Sequence, residues 1–183
     1  MNTGTVSFRY AKALLQYAID LNEEEQVYKD MCNLSHAYIK TPQLRRMIDN
    51  PVLPKADKIS LLSKAAGENP AKATLRFFEL VAEKHRTNIL QFIASSFETQ
   101  FLAHKNVIKS RLITSTKVDN AFIEKMEHLV AGYTNGKVLM QVENRPSIGG
   151  GFILEYDTYR IDASVGNQIK NIRKSLMRAA GNS

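Results

Sequence analysis

Apolar side chains recur at helical spacing through roughly the first 105 residues of the chain. Between about Ser7 and Leu21, the residues Tyr10, Leu14 and Tyr17 fall on one side of a helix. Breaks at prolines and a turn at 67–70 separate five further helical segments. Their approximate bounds are 22–40, 43–49, 54–66, 71–84 and 88–104. Six helices with short connections predict a compact bundle.

The period of the apolar positions changes after Lys105. Four segments show strand signals, and two others keep the helical period. The predicted order is strand Val107–Thr114, helix Asp119–Tyr133, strand Lys137–Glu143, strands Gly150–Tyr156 and Tyr159–Asp162, and a closing helix from Ser164 to Arg178. The pattern therefore predicts an α+β chain of two domains. A six-helix bundle would span residues 1–105, and a small mixed α/β domain would span 106–183.

Two local details follow from the same pattern. Asn22 is placed to cap the second helix, with Glu25 completing a capping box. The sixth helix is expected to direct one apolar set inward, namely Ile89, Phe92, Ile93, Phe97 and Phe101.

Composition narrows the class of protein. The chain has 183 residues and a formal net charge of +7, which favours anionic partners. Residues 1–105 hold 14 Lys/Arg against 11 Asp/Glu, and the rest holds 11 against 7, so the shorter part is more basic. The single cysteine, Cys32, excludes an internal disulfide and fits a reducing compartment. We expect neither a signal peptide nor a transmembrane segment.

The three consecutive glycines at 149–151 invite comparison with a phosphate-binding loop. Such loops need a helix N-terminus after the glycines, whereas a strand follows here. We therefore interpret Gly149, Gly150 and Gly151 as structural, marking a bulge or a close backbone approach. Gly136-Lys137 also fails as a nucleotide-binding motif, since no serine or threonine follows the lysine.

The histidines do not assemble a predicted catalytic or metal site. Cys32 and His36 lie four residues apart, as do Glu124 and His128, but neither pair has a third ligand nearby in sequence. No histidine stands with a nucleophile and an orienting carboxylate. The sequence therefore predicts no enzyme activity, no cofactor and no metal.

The closing helix carries four basic residues and no acidic one, namely Lys170, Arg173, Lys174 and Arg178. Its apolar side holds Ile169, Ile172 and Leu176. This pattern is compatible with a solvated basic face, because cations stabilise a helix C-terminus. It is equally compatible with a docking surface for an acidic helix or a phosphate backbone.

The first and fifth helices have wider apolar surfaces than one side of a bundle requires. An amphipathic helix needs a stripe of roughly 100°, and both exceed it. The surplus indicates either deeper burial or a groove for a partner helix. The residues predicted to line such a groove are Tyr10, Leu14, Tyr17, Phe77, Leu80, Val81 and Lys84.

Three stretches carry a resemblance to a known family. They are Arg9-Tyr10-Ala11-Lys12-Ala13-Leu14, Asn50-Pro51-Val52-Leu53, and the glycine run with the strands and Asp162-Ala163-Ser164-Val165 that follow it. Together they resemble the delta subunit of bacterial F-type ATP synthases, equivalent to the oligomycin-sensitivity-conferring subunit of mitochondria. The chain departs from that family in having three glycines instead of two, and Ala163 in place of a glycine. Both departures concern local turn geometry.

The resemblance implies a non-catalytic stator subunit. Its N-terminal bundle would bind the N-terminal helix of an alpha subunit in a groove between the first and fifth helices. Its C-terminal domain would meet the b-type peripheral stalk, and the closing helix is our candidate for that contact. The complex would be peripheral to the cytoplasmic face of a bacterial inner membrane. The alternative is a basic nucleic-acid-binding protein, whose affinity would depend strongly on salt.

Overall fold

The computed structural model of the protein describes residues 3–134 and 136–180. The side chains at 175, 176 and 178–180 lie outside the described part. The chain divides into two compact units, with the division between His104 and Lys105. The first unit contains six α-helices among its described residues. They are α1 Thr3–Asp20, α2 Glu24–Lys40, α3 Pro42–Asp49, α4 Lys55–Ala66, α5 Lys72–Glu83 and α6 Leu90–His104.

The core of the first unit forms around α6. Both α1 and α2 pack against α6, while α4 packs against α2 and α5. Each helix contributes one buried face, as its helical apolar period predicts. The largest fully buried side chains of this core are Leu14, Met31, Leu34, Ile48, Leu62, Phe78, Leu90, Ile93 and Phe97.

The structure corrects the predicted cap at Asn22. This residue has a positive φ of 55°, and it ends α1 instead of starting α2. The Asn22 N–H donates to the Ile19 carbonyl, and the Glu23 N–H donates to the Ala18 carbonyl. These two bonds form a Schellman motif, in which asparagine tolerates the left-handed conformation. Since a residue in that conformation cannot also serve as an N-cap, the predicted capping box with Glu25 is wrong.

Phe92 was expected to point inward with its neighbours on α6, but 49% of its surface is exposed. The helix begins at Leu90 after a 3₁₀ turn over Thr87–Ile89, and Leu90, Ile93 and Phe97 take the buried face. These three lie at i, i+3 and i+7, which leaves Phe92 on the flank. Because apolar residues occur on nearly every side of α6, the sequence does not show which side is buried.

The second unit is a four-stranded sheet with two helices. Its elements are β1 Val107–Thr114, α7 Asn120–Thr134, β2 Lys137–Asn144, β3 Phe152–Tyr156, β4 Tyr159–Asp162 and α8 Val165–Ala180. The strand order is β2-β1-β3-β4. Strands β1 and β2 are parallel, because α7 connects them as a crossover, and the other two pairs are antiparallel.

Helix α7 covers one face of the sheet. Leu112 and Leu154 face each other across β1 and β3, and they pack with Met126 and Val130 of α7. The opposite face bears a row of charges in which Glu155 pairs with Arg160 at 3.1 Å. The same face also holds the paired Ile113 and Ile153, which are buried, so the charges occupy only part of it.

The predicted fold class is confirmed: a six-helix bundle precedes a small mixed α/β unit. Among the helices of the described residues, none combines the length with the apolar composition that a bilayer crossing requires.

Candidate functional site

A groove of about 630 Å³ lies between α1 and α5. Residues from both helices line it, and apolar side chains form most of the surface. The lining consists of Arg9, Tyr10, Ala13, Leu14 and Tyr17 on α1, and Arg76, Phe77, Glu79, Leu80 and Glu83 on α5. The stretch from Arg9 to Tyr17 extends roughly 12 Å along α1, at about 1.5 Å per residue, or slightly more than two helical turns.

The floor of the groove is aromatic and well packed. The rings of Tyr10 and Phe77 meet edge to face, with centroids 6.3 Å apart. Leu14 and Phe77 are buried, whereas Tyr17 and Leu80 are each 43% exposed at the opening. The Arg86 guanidinium lies 5.5 Å from the centroid of the Tyr10 ring and fixes that ring by a cation–π contact. The two exposed side chains are therefore available to a partner, while the floor is preformed.

Charged residues border the apolar floor. Arg76 and Glu79 form an ion pair of 2.8 Å on the α5 side, next to Glu83, and Arg9 stands on the α1 side. An apolar trough with charged borders suits the apolar stripe of an amphipathic helix.

The structure brings together five of the seven residues predicted for the groove. The two exceptions are Val81, which is fully buried in the bundle, and Lys84, which caps the end of α5 without lining the groove. Val81 follows Leu80 by one residue, and that 100° rotation turns it inward. Their assignment to the groove is therefore corrected. The sequence interpretation also omitted Ala13 and the charged residues that line the groove, namely Arg9, Arg76, Glu79 and Glu83.

The three glycines precede β3 in the chain and lie beside the junction between β4 and α8. All have positive φ values, and Gly150 and Gly151 pass close to the junction. The Gly150 carbonyl accepts a hydrogen bond from the Val165 N–H at 3.1 Å, and the Phe152 carbonyl accepts one from the Ala163 N–H at 3.0 Å. A side chain at Gly151 would overlap the Ala163 carbonyl oxygen. Gly150 and Gly151 thus allow the backbone contact that attaches the start of α8 to the sheet.

Asp162 and Ser164 organise the first turn of α8. The Ser164 N–H and hydroxyl both donate to one carboxylate oxygen of Asp162, at 3.1 and 2.5 Å. The Asn167 N–H donates to the Ser164 hydroxyl at 3.2 Å, as an N-cap requires. The hydroxyl and N–H of Ser164 hold the pKa of Asp162 below its usual value, assisted by Arg160 and Lys170.

This pKa shift predicts a pH-dependent stability of the α8 attachment. The folded-state pKa lies below the unfolded value of about 3.9, so the stabilisation is complete above that value and is lost as the pH falls through the folded pKa. Asp162→Asn should therefore speed hydrogen exchange of the Asn167 amide at pH 6, relative to the parent. The difference should shrink near pH 2.5. An equal difference at both pH values would contradict the assignment.

Much of the apolar stripe of α8 is exposed at its described side chains. Val165, Ile169 and Ile172 are between 41% and 61% exposed. Lys170, Arg173 and Lys174, all predicted for the stalk contact, are also exposed. The side chains of Arg178 and Leu176, predicted for the basic and apolar sides, lie outside the described residues.

A family model described as "ATP synthase delta (OSCP) subunit" matches residues 6–176. The chain belongs to this family. The resemblance drawn from the three sequence motifs is confirmed, and the match covers both the groove and the start of α8. The nucleic-acid-binding alternative receives no such support.

Curated members of this delta subunit family resemble the chain over nearly its whole length. The ATP synthase subunit delta of Phocaeicola vulgatus is 38% identical over 178 residues, covering 97% of this chain and 96% of that protein. The ATP synthase subunit delta of Bacteroides thetaiotaomicron is 32% identical, with the same coverages. The mitochondrial ATP synthase subunit 5 of Schizosaccharomyces pombe is 28% identical, covering 91% of this chain and 79% of that protein.

A solved structure shares the fold of this family member. It is a chain in the cryo-EM structure of the mitochondrial ATP synthase hexamer of Toxoplasma gondii, with a TM-score of 0.68 and 21% identity. The match covers 93% of this chain and 97% of that one.

Within the part of this chain that the structure describes, no three His, Cys, Asp or Glu side chains group as metal ligands would.

Proposed function

We propose that this chain is a non-catalytic stator subunit of a bacterial F-type ATP synthase. It would hold the alpha/beta catalytic head against the torque of the rotor by joining the head to the b-type peripheral stalk. Family membership over residues 6–176 supports this role. Two exposed apolar surfaces, one in each unit, supply the separate attachments that a joint requires.

The groove between α1 and α5 is the proposed site for the N-terminal helix of an alpha subunit. This groove is the single observation that supports the proposal most, since its apolar floor fits one face of an amphipathic helix of about two turns. Burial of apolar surface gives roughly 25 cal/mol per Å² before the costs of association. The partner helix should therefore present apolar residues at i, i+3 or i+4, and i+7.

Helix α8 is the proposed contact for the stalk. Val165, Ile169 and Ile172 follow one another at spacings of four and three residues, as side chains in helix-pair seams do. The exposed Lys170, Arg173 and Lys174 favour a partner helix with acidic flanks. We place the assembled subunit at the cytoplasmic face of the membrane, attached through the complex.

Leu80→Glu tests the groove. Leu80 is 43% exposed at the groove opening, so its replacement should alter the stability of the free protein by less than about 1 kcal/mol. Binding of the alpha/beta head should weaken by about 2 kcal/mol or more, roughly 30-fold, because a carboxylate would replace an apolar side chain that the partner helix covers in the complex. The measurement is the Kd for the purified head, alongside urea unfolding of the free chain.

Phe92→Glu provides the matched control. Phe92 has a similar exposure of 49% on α6, outside the groove lining. This variant should bind the head as the parent does. The proposal fails if both variants weaken binding equally, or if Leu80→Glu unfolds the free bundle while leaving head binding per folded molecule unchanged.

A further inference from the structure

The N-terminal end of α5 is held by two carboxylates, those of Asp30 on α2 and of Glu23 at the cap position before α2. The residue at its cap position is Ala71, whose side chain offers no acceptor. Instead, the Ala71 N–H donates to Asp30 at 2.8 Å, and the Ala73 N–H donates to Glu23 at 2.9 Å. The Thr74 hydroxyl adds a 2.6 Å bond to the same oxygen of Asp30. Three donors at the start of α5 therefore bond to α2 and to the residue that precedes it.

Asp30 is buried, and both of its carboxylate oxygens accept hydrogen bonds. It is 1% exposed, and Thr74 is fully buried beside it. Its second carboxylate oxygen accepts a bond from Gln26 at 3.1 Å, on its own helix. The negative charge also faces the positive end of the α5 dipole, which favours it there. Glu23, which accepts the bond from Ala73 at the cap position before α2, is half-buried.

The C-terminal end of α5 is fixed as well, but against α1. His85 has a positive φ of 52° and ends the helix, with the Arg86 N–H donating to the Val81 carbonyl. That turn brings the Arg86 guanidinium over the Tyr10 ring. The groove lies between α1 and this stretch of α5, between its two fixed ends.

We infer that Asp30 and Glu23 are positioning residues for the groove, acting through the N-terminus of α5. This inference rests on the proposed function of the groove as a helix-binding site. A helix seated between two others requires interaxial distances of about 8–10 Å, and a small displacement of one wall removes part of its contacts. The carboxylates hold α5 at the right distance before the partner arrives, which spares the partner the cost of ordering it.

The test measures the Kd of the full-length chain for a synthetic peptide, the first 25 or so residues of the alpha subunit from the same organism. Glu23→Ala should weaken binding about 3-fold, and Asp30→Ala about 10-fold, both measured at a temperature where circular dichroism shows the variants folded. Asp30→Asn keeps an acceptor for Ala71 and Thr74, so it should recover most of the affinity. Glu23 is half-buried, so its variant remains usable if Asp30→Ala fails to fold.

Ile48→Ala separates positioning from stability. Ile48 is fully buried on α3, away from the groove lining, so this variant should lose stability yet keep the parent Kd. If Glu23→Ala and Asp30→Ala bind the peptide as the parent does, the inference is overturned while the groove proposal stands. If the parent itself fails to bind the peptide, the proposed function of the groove is what fails.

Discussion

Gly151→Ala is expected to lower the free energy of unfolding of the second unit by about 3 kcal/mol. Gly151 has a φ of +74°, a conformation that costs an alanine about 1–2 kcal/mol. The added Cβ would also overlap the Ala163 carbonyl oxygen. That backbone cannot move away freely, because the Ala163 N–H is bonded to the Phe152 carbonyl at 3.0 Å. The strand must therefore shift, and the α8 attachment must loosen.

Gly149→Ala is the matched control for this substitution. Gly149 has a similar φ of +76°, but a Cβ there would meet no atom within 4 Å. Its cost should be about 1 kcal/mol, from backbone conformation alone. Amide hydrogen exchange along β3 and at Val165 measures both variants in the full-length chain. Equal costs for the two alanines would show that the close approach at Gly151 contributes nothing.

Asp30→Ala is expected to destabilise the bundle by about 3–4 kcal/mol. The substitution leaves the buried N–H of Ala71 and the hydroxyl of Thr74 without an acceptor. Each unsatisfied group costs roughly 1–3 kcal/mol, and the favourable charge at the α5 N-terminus is also lost. Urea unfolding followed by far-ultraviolet circular dichroism reports this loss, since most helices belong to the bundle.

Asp30→Asn separates the hydrogen bonds from the charge. Its amide oxygen can still accept from Ala71 and Thr74, so we expect a loss of only about 1 kcal/mol. A loss below 1 kcal/mol for Asp30→Ala would mean that water or another group satisfies the α5 terminus. The Asp30 carboxylate would then not be required as the acceptor at the start of α5.

The periodicity of apolar residues was sufficient to predict the architecture. Helical spacing up to Lys105 and alternating segments after it indicated the six-helix bundle and the mixed unit, and both are present. The local errors arose where two signals compete. Asn22 is as suitable for ending a helix in the left-handed conformation as for beginning one, and the neighbouring sequence does not distinguish these roles.

The candidate groove was predictable only in outline. The apolar surfaces of α1 and α5 are wider than packing on one side of a bundle requires, and this excess indicated either deeper burial or a groove for a partner helix. It could not show which side chains face outward, since Leu80 and Val81 are adjacent and similar in character. The contacts of Asp30 with α5 bridge more than 40 residues of sequence, as the 41-residue separation of its bond to Ala71 shows. No local pattern reports a contact of that kind.

An NMR titration of the full-length chain, labelled with ¹⁵N, with the alpha N-terminal peptide tests the central claim most directly. We predict saturable shifts concentrated on α1 and α5, centred on the amides of Tyr10, Tyr17 and Leu80. The amides around Phe92 should remain unchanged. Saturable binding with shifts confined to other helices, or no binding at all, would show that the groove between α1 and α5 is not where this subunit holds the catalytic head.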